Sequence, residues 1–494
     1  MARPGVLSRL SLLLLVAAAP GGSDGELTLE AVMARADRDT RDMVRARADL
    51  LLVDVEKARA IANVLPSLSL YLVGNEVFLE SMRVEARNYR YEELGCQKTE
   101  TDLCNTIRPG GEYRLVYGPF YDARADSVSH PQFYGGLSAR QVIYDGGRWW
   151  AQLARVGDIR EQQQSVLASV SASVRLNALR RFFDFARSKE GVKVAELQVG
   201  LAEAQLRRTR ALLDGGNGHQ NDVASAERNL AVDRVTLARR LFAASAARRS
   251  LNLSMGQEPE SPVSVVLPRR VLTATASVDT VHLPGRDQLL GMALEHRPEV
   301  RQARALIRIV ERNIDIRAAD YYPTLAFVLG YSRPISRRLD WVLGDPTENF
   351  VATMGLDLRW NVFSGGLTKA AVEEAEVELT KARANLDEVE RTVKNEALEK
   401  SEELMLLIEV QRLSIDGARS AKAANDGVQS SYREGKASAL ELRDAEQKLI
   451  QAMLDAIVGG MNIEVARAEL SRAVGLDLDD PPRIFADLEA LPGP

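Results

Sequence analysis

The stretch GLSARQVIYDGG at residues 136–147 returns as GLDLRWNVFSGG at residues 355–366, an offset of 219 positions. In the second copy Leu356, Leu358, Trp360 and Val362 alternate with Asp357, Arg359 and Asn361; in the first, Leu137, Ala139 and Ile143 alternate with Ser138, Arg140 and Val142. A period of two over this length marks a strand with one polar and one apolar face. The glycine pairs Gly146-Gly147 and Gly365-Gly366 end the strands. After them no proline occurs until Pro259 or Pro481, so a strand hands over to a very long helix.

Working outward, the same offset superposes Gly216 on Gly435, Ala226-Glu227 on Ala445-Glu446, Leu230 on Leu449 and Gly256 on Gly475. Upstream, a shift of 257 lays Ala46-Arg47-Ala48 on Ala303-Arg304-Ala305, and Leu65-Pro66-Ser67-Leu68 on Tyr322-Pro323-Thr324-Leu325. The chain is therefore an internal duplication, with 38 extra residues between Leu72 and Gln132 that carry both cysteines, Cys96 and Cys104. The boundaries that follow are a first repeat over 24–256 with a loop and insertion at 75–132, a linker over 257–285, a second repeat over 286–475, and a tail over 476–494.

Each repeat is expected to open with one helix, Leu29 to about Val64 or Pro298 to about Ala319. Pro66 or Pro323 stops it, because the residue before a proline avoids helical geometry. A strand follows in which Leu68, Leu70 and Leu72, or Leu325, Phe327, Leu329 and Tyr331, share a face. After a loop and the second strand comes a hairpin of long helices that turns at Asp214-Gly215-Gly216-Asn217-Gly218 or Glu434-Gly435. Arg148 to Leu213 alone makes roughly 100 Å of helix. Along the second hairpin Val372, Ala375, Leu379, Ala382, Leu386, Val389 and Val393 step by three and four, a seam that requires a partner helix.

The N-terminus has the form of a secretory signal over residues 1–23, with Arg3 and Arg9 before an apolar run from Leu10 to Ala19. No later segment reads as a membrane-spanning helix, which leaves export or a β-barrel. All four tryptophans, Trp149, Trp150, Trp341 and Trp360, lie in or beside the strand regions, as do all tyrosines but Tyr432, in keeping with a membrane–water interface. Net charge is −5, so no basic surface argues for nucleic acid. The four histidines, His130, His219, His282 and His296, are scattered; neither metal-ligand spacing nor a catalytic constellation is present. No enzyme activity, cofactor or metal is expected.

Four strands cannot close a membrane barrel, which needs about eight, and open edges are not tolerated in lipid. The strands must close with those of other copies; three copies give about 12 strands and room for a lumen. Arg140, Asp357, Arg359 and Asn361 would line it. The competing reading is a periplasmic coiled-coil scaffold or adaptor without a barrel.

These residues resemble the TolC family of outer-membrane efflux proteins. The resemblance rests on Pro66-Ser67-Leu68, Pro323-Thr324-Leu325, the two glycine-pair motifs, and a tip pattern of glycine, five residues and an acid: Gly216 to Asp222 and Gly435 to Glu441. It implies a mixed, mostly α fold: an outer-membrane β-barrel, four strands per chain, continued by a long periplasmic α-helical coiled-coil barrel. It implies a homotrimer in outer-membrane lipid that works with a periplasmic adaptor and an inner-membrane pump in efflux or type I secretion. Glu441 and Asp444 are then expected as an acidic ring at the pore mouth, and Asp222, Tyr432, Gly216 and Gly435 as hairpin-tip contacts. The family often has an arginine two residues after the tip glycine; Ala437 stands there instead.

In an exported chain Cys96 and Cys104 are disulfide candidates. Peptide mapping without reductant should recover them in one linked species; two separately alkylated thiols would refute the pairing.

Overall fold

The computed structural model describes residues 27–93, 113–216, 218–268, 271, 283–335, 350–434 and 436–476. The expected signal segment, both cysteines, Trp341, Gly435, parts of the linker and all but the first residue of the tail fall outside them. The elements in chain order are α1 (Leu29–Asp39), α2 (Arg41–Ala62), β1 (Ser67–Glu93), β2 (Tyr113–Tyr144), α3 (Arg148–Asp214) and α4 (Gln220–Ser254). Then come α5 (Arg286–His296), α6 (Pro298–Ala318), β3 (Thr324–Ile335), β4 (Val351–Arg359), α7 (Leu367–Arg433) and α8 (Ala439–Val474). They fall into two compact units, a helical one and a sheet unit of Ile61–Trp149 with Ala319–Gly365.

In the helical unit α3 and α7 are each 67 residues long, about 100 Å. The seam on α7 is built as read: Ala375, Ala382 and Val393 are buried, and α6 is among its partners. The start of each repeat holds one more helix than expected. In the first the expected helix is broken at Thr40; in the second it stands as α6, and an unexpected short helix, α5, precedes it across a break at Arg297. Arg297 precedes Pro298 and takes the extended geometry that position favours. At Thr40 the hydroxyl and the backbone N–H both donate to Ala36 O, at 2.8 and 3.3 Å, a local bond that competes with helix continuation.

Both breaks serve one purpose. The return helices α4 and α8 end at Gly256 and Gly475, with φ of 73° and 79°. A Cβ on Gly256 would lie 2.6 Å from Asp39 O, and one on Gly475 would lie 2.5 Å from the His296 carbonyl carbon. The repeat thus keeps glycine where a helix end packs on backbone. Around these junctions lie two cores, one with the T-shaped pair Phe182–Phe183, Leu251 and Met255, the other with Leu289, Val300, Leu404 and Leu470. The window in α8 is long and apolar enough to cross a membrane by length and composition. Its Met461, Ile463, Ala466 and Leu470 are instead core residues.

The sheet unit is one antiparallel sheet in the order β1-β2-β3-β4. Leu68, Leu70, Met354, Leu356 and Leu358 share one face and lie between 66 and 80% exposed. The residues expected as a loop, 75–93 and 113–132, are instead strand: β1 and β2 run 27 and 32 residues and stay paired from Ser67↔Arg140 to Glu93↔Tyr113. A register shift between Val142 and Tyr144 ends β2. The doublets that follow it and β4 both hold positive φ, 73° and 87° at Gly146 and Gly147, 64° and 89° at Gly365 and Gly366, which explains their recurrence.

Gly475→Ala should lower stability by about 2 kcal/mol, since it adds a left-handed alanine to a close backbone contact. A thermal melt in detergent measures it, and an unchanged midpoint would contradict the packing.

Candidate functional site

Two places gather the charged residues singled out in the sequence. The first is the polar face of the sheet. Register puts Arg140 opposite Val328, Val328 opposite Gly355, Asp357 opposite Ala326 and Arg359 opposite Thr324, so all three charges share a face. Arg359 Nε lies 3.0 Å from Asp357 Oδ2, and Arg140 Nη2 lies 3.9 Å from it. Ser69 and Ser138 join by their hydroxyls at 2.6 Å on the same face. Asn361 does not belong to this strand. β4 ends at Arg359, because its partner β3 begins at Thr324 and offers no residue beyond it. The next residue, Trp360, instead donates its indole N–H to Tyr321 O at 3.1 Å.

The second place is the hairpin tips. Gly216 closes α3 with φ of 74° and its N–H on Leu213 O. Asp222, in the first turn of α4, and Tyr432, near the end of α7, line one groove of about 470 Å³. Arg208 stacks on the Tyr432 ring, 4.7 Å from its centroid. Deeper in the groove Arg443 of α8 donates to Asp233 of α4 at 3.0 Å, and the Asp233 side chain is 12% exposed. Neither Arg208 nor Arg443 nor Asp233 was anticipated. The signal was present: buried Val223, Ala226 and Leu230 step by three and four to Asp233, and an acid in that register needs a cationic partner.

Glu441 and Asp444, the expected acidic ring, are exposed and each has a local partner. Glu441 accepts from the Ser438 N–H at 2.7 Å while its own N–H donates to Ser438 Oγ at 3.2 Å, a capping box at the start of α8. The Ser438 backbone bond, and then its hydroxyl, hold the Glu441 carboxyl below the usual range. Asp444 accepts from Lys448 at 2.6 Å. Glu446, in the groove, is pushed up by burial, with Arg443 opposing.

Farther along, Glu469 of α8 takes Arg180 of α3 at 2.6 Å and Lys400 of α7 at 2.8 Å. Burial raises the Glu469 carboxyl, but the hydrogen bonds from Lys400 and Arg180 outweigh it and hold the group low. One carboxylate thereby ties the two hairpins at mid-length.

Comparison with known proteins places this geometry. Residues 289–476 match the family described as outer membrane efflux protein. The chain is 24% identical over 346 residues to the outer membrane efflux protein BepC of Brucella suis, covering 69% of this chain and 71% of that one. It is 19% identical to the outer membrane protein TolC of Vibrio cholerae, over 69 and 76% of the two chains. In fold it is similar to CusC, with a TM-score of 0.70, 15% identity and coverage of 93 and 96%. It is likewise similar to the MtrE outer membrane channel of Neisseria gonorrhoeae, with a TM-score of 0.67, 16% identity and coverage of 91 and 89%.

Arg443→Ala, which strands the Asp233 carboxylate, should weaken the tip by about 1–3 kcal/mol. Hydrogen exchange of residues 220–233 and 439–450 should speed up, and the swap Arg443→Asp with Asp233→Arg should restore most protection. Because the folded Glu441 carboxyl is depressed, its contribution holds above the ordinary carboxylate range and is lost as pH falls through the folded value. Glu441→Gln should keep the cap and remove that acid sensitivity at the start of α8; equal acid sensitivity in both proteins would contradict it.

Proposed function

We propose that this chain, a member of the outer membrane efflux protein family, is one subunit of a homotrimeric channel that conducts material passively from periplasm to exterior. Its place is the outer membrane, with the long hairpins in the periplasm. The observation that carries the reading is the sheet. Leu70 is 80% exposed and Met354 76% on a face whose opposite side holds Arg140, Asp357 and Arg359. Water disfavours such an apolar expanse; lipid accepts it. The outer edges of β1 and β4 have no partner strand among the described residues, and each unpaired backbone group in lipid costs several kcal/mol. Three copies joined β1 to β4 satisfy both requirements with about 12 strands.

A periplasmic scaffold gives no reason for that face. The aromatic side chains Tyr144, Tyr321, Tyr322, Trp360 and Phe363 are exposed at the end of the sheet where β1 and β3 begin, as suits a membrane interface. The hairpins of three copies form the tube, with the tips as its narrow end. There Glu441 and Asp444, repeated threefold, favour cations, and Arg443–Asp233 with Arg208–Tyr432 hold the two hairpins of each copy together. A periplasmic adaptor and an inner-membrane pump complete a tripartite efflux or type I secretion assembly.

The purified protein should float with outer membranes, run as a trimer in mild detergent and give a small cation-selective conductance in a planar bilayer. Glu441→Ala with Asp444→Ala should reduce the selectivity. A monomer recovered from the soluble periplasmic fraction would refute the channel.

A further inference from the structure

The β1–β2 ribbon outgrows the rest of the sheet. β3 pairs with β2 only as far as Phe133↔Ile335, whereas β1 and β2 continue together from Asn75↔Gln132 to Glu93↔Tyr113. That is about 19 further residues per strand, or ~60 Å. All helix–strand junctions lie at the other end of the strands. If the hairpins are periplasmic, the ribbon therefore stands on the outer side. The inference rests on the trimeric channel reading.

A lone two-stranded ribbon is marginal in water, and among the described residues this one has two long open edges. The nine residues of a neighbouring β4 cover only the lower part of the 27-residue edge of β1. Above it, the next strand in the ring that is long enough is the neighbouring copy's β2, which runs antiparallel to β1.

We infer that the ribbons of three copies pair β1 to β2 into a six-stranded antiparallel tube that narrows the outer mouth of the channel. Eight strands already leave only enough interior for side chains, so six make a constriction. The two constrictions act in series, so distance is a cleaner readout than current.

A nitroxide at Ser81→Cys, in the full chain carrying Cys96→Ser and Cys104→Ser, reports that distance in the trimer. In a six-strand tube like strands of neighbouring copies are ~10 Å apart; on a twelve-strand circumference they are ~20 Å apart. Strong dipolar broadening is expected, and again at Val77→Cys, lower on the same strand. Unbroadened spectra at both sites in a conducting trimer overturn the tube and leave the channel intact. Loss of trimer and conductance in the unmodified protein overturns the channel reading and the tube with it.

Discussion

A four-stranded sheet with one apolar face, one charged face and two open edges cannot be the whole of anything stable. Backbone N–H and C=O groups need partners, most of all where water is excluded, and this constraint governs the rest of the structure. The ring of copies proposed above meets it. The register sets Leu70 and Leu356 on one face and Arg140, Asp357 and Arg359 on the other, which in the proposed ring are its lipid and lumen sides. Each glycine pair launches a helix of 67 residues, which in the proposed ring is covered by neighbours arranged in the same way.

The helices answer that requirement with few specific devices. Small seam residues, Ala375, Ala382 and Ala397, let α7 run close to its partners. Gly256 and Gly475 dock each return helix on the helix break at the start of its repeat. Glu469 and the Arg443–Asp233 pair are among the polar ties between hairpins, one at mid-length and one near the tips. Because Asp233 is nearly buried, losing its arginine costs more than an exposed pair would. The tie thus marks where the two hairpins are held together near their tips.

The strands, the seam and the long hairpins were legible because each repeats a period that the chain states twice. The break at Thr40 was not legible, since one threonine hydroxyl bonding Ala36 O leaves no periodic trace. The long ribbon was hidden for a related reason: its residues have no counterpart in the second repeat, so comparison of the copies returned only an insertion. Asn361 was placed on β4 by alternation alone, yet a strand ends where its partner begins, here at Thr324. Asp233 could have been found as an acid at a seam position. The capping role of Glu441 was likewise open to view, in Ser438 followed three residues later by an acid.

The central claim is that one face of the sheet meets lipid and the other meets water. Nitroxides placed singly at Leu70→Cys and Ser69→Cys, in the chain with Cys96→Ser and Cys104→Ser reconstituted in bilayers, test it through collision with oxygen and with a water-soluble nickel chelate. The account predicts oxygen access at Leu70 and chelate access at Ser69. Chelate access at both positions, or at neither, would contradict a barrel wall and return the sheet to an ordinary protein core.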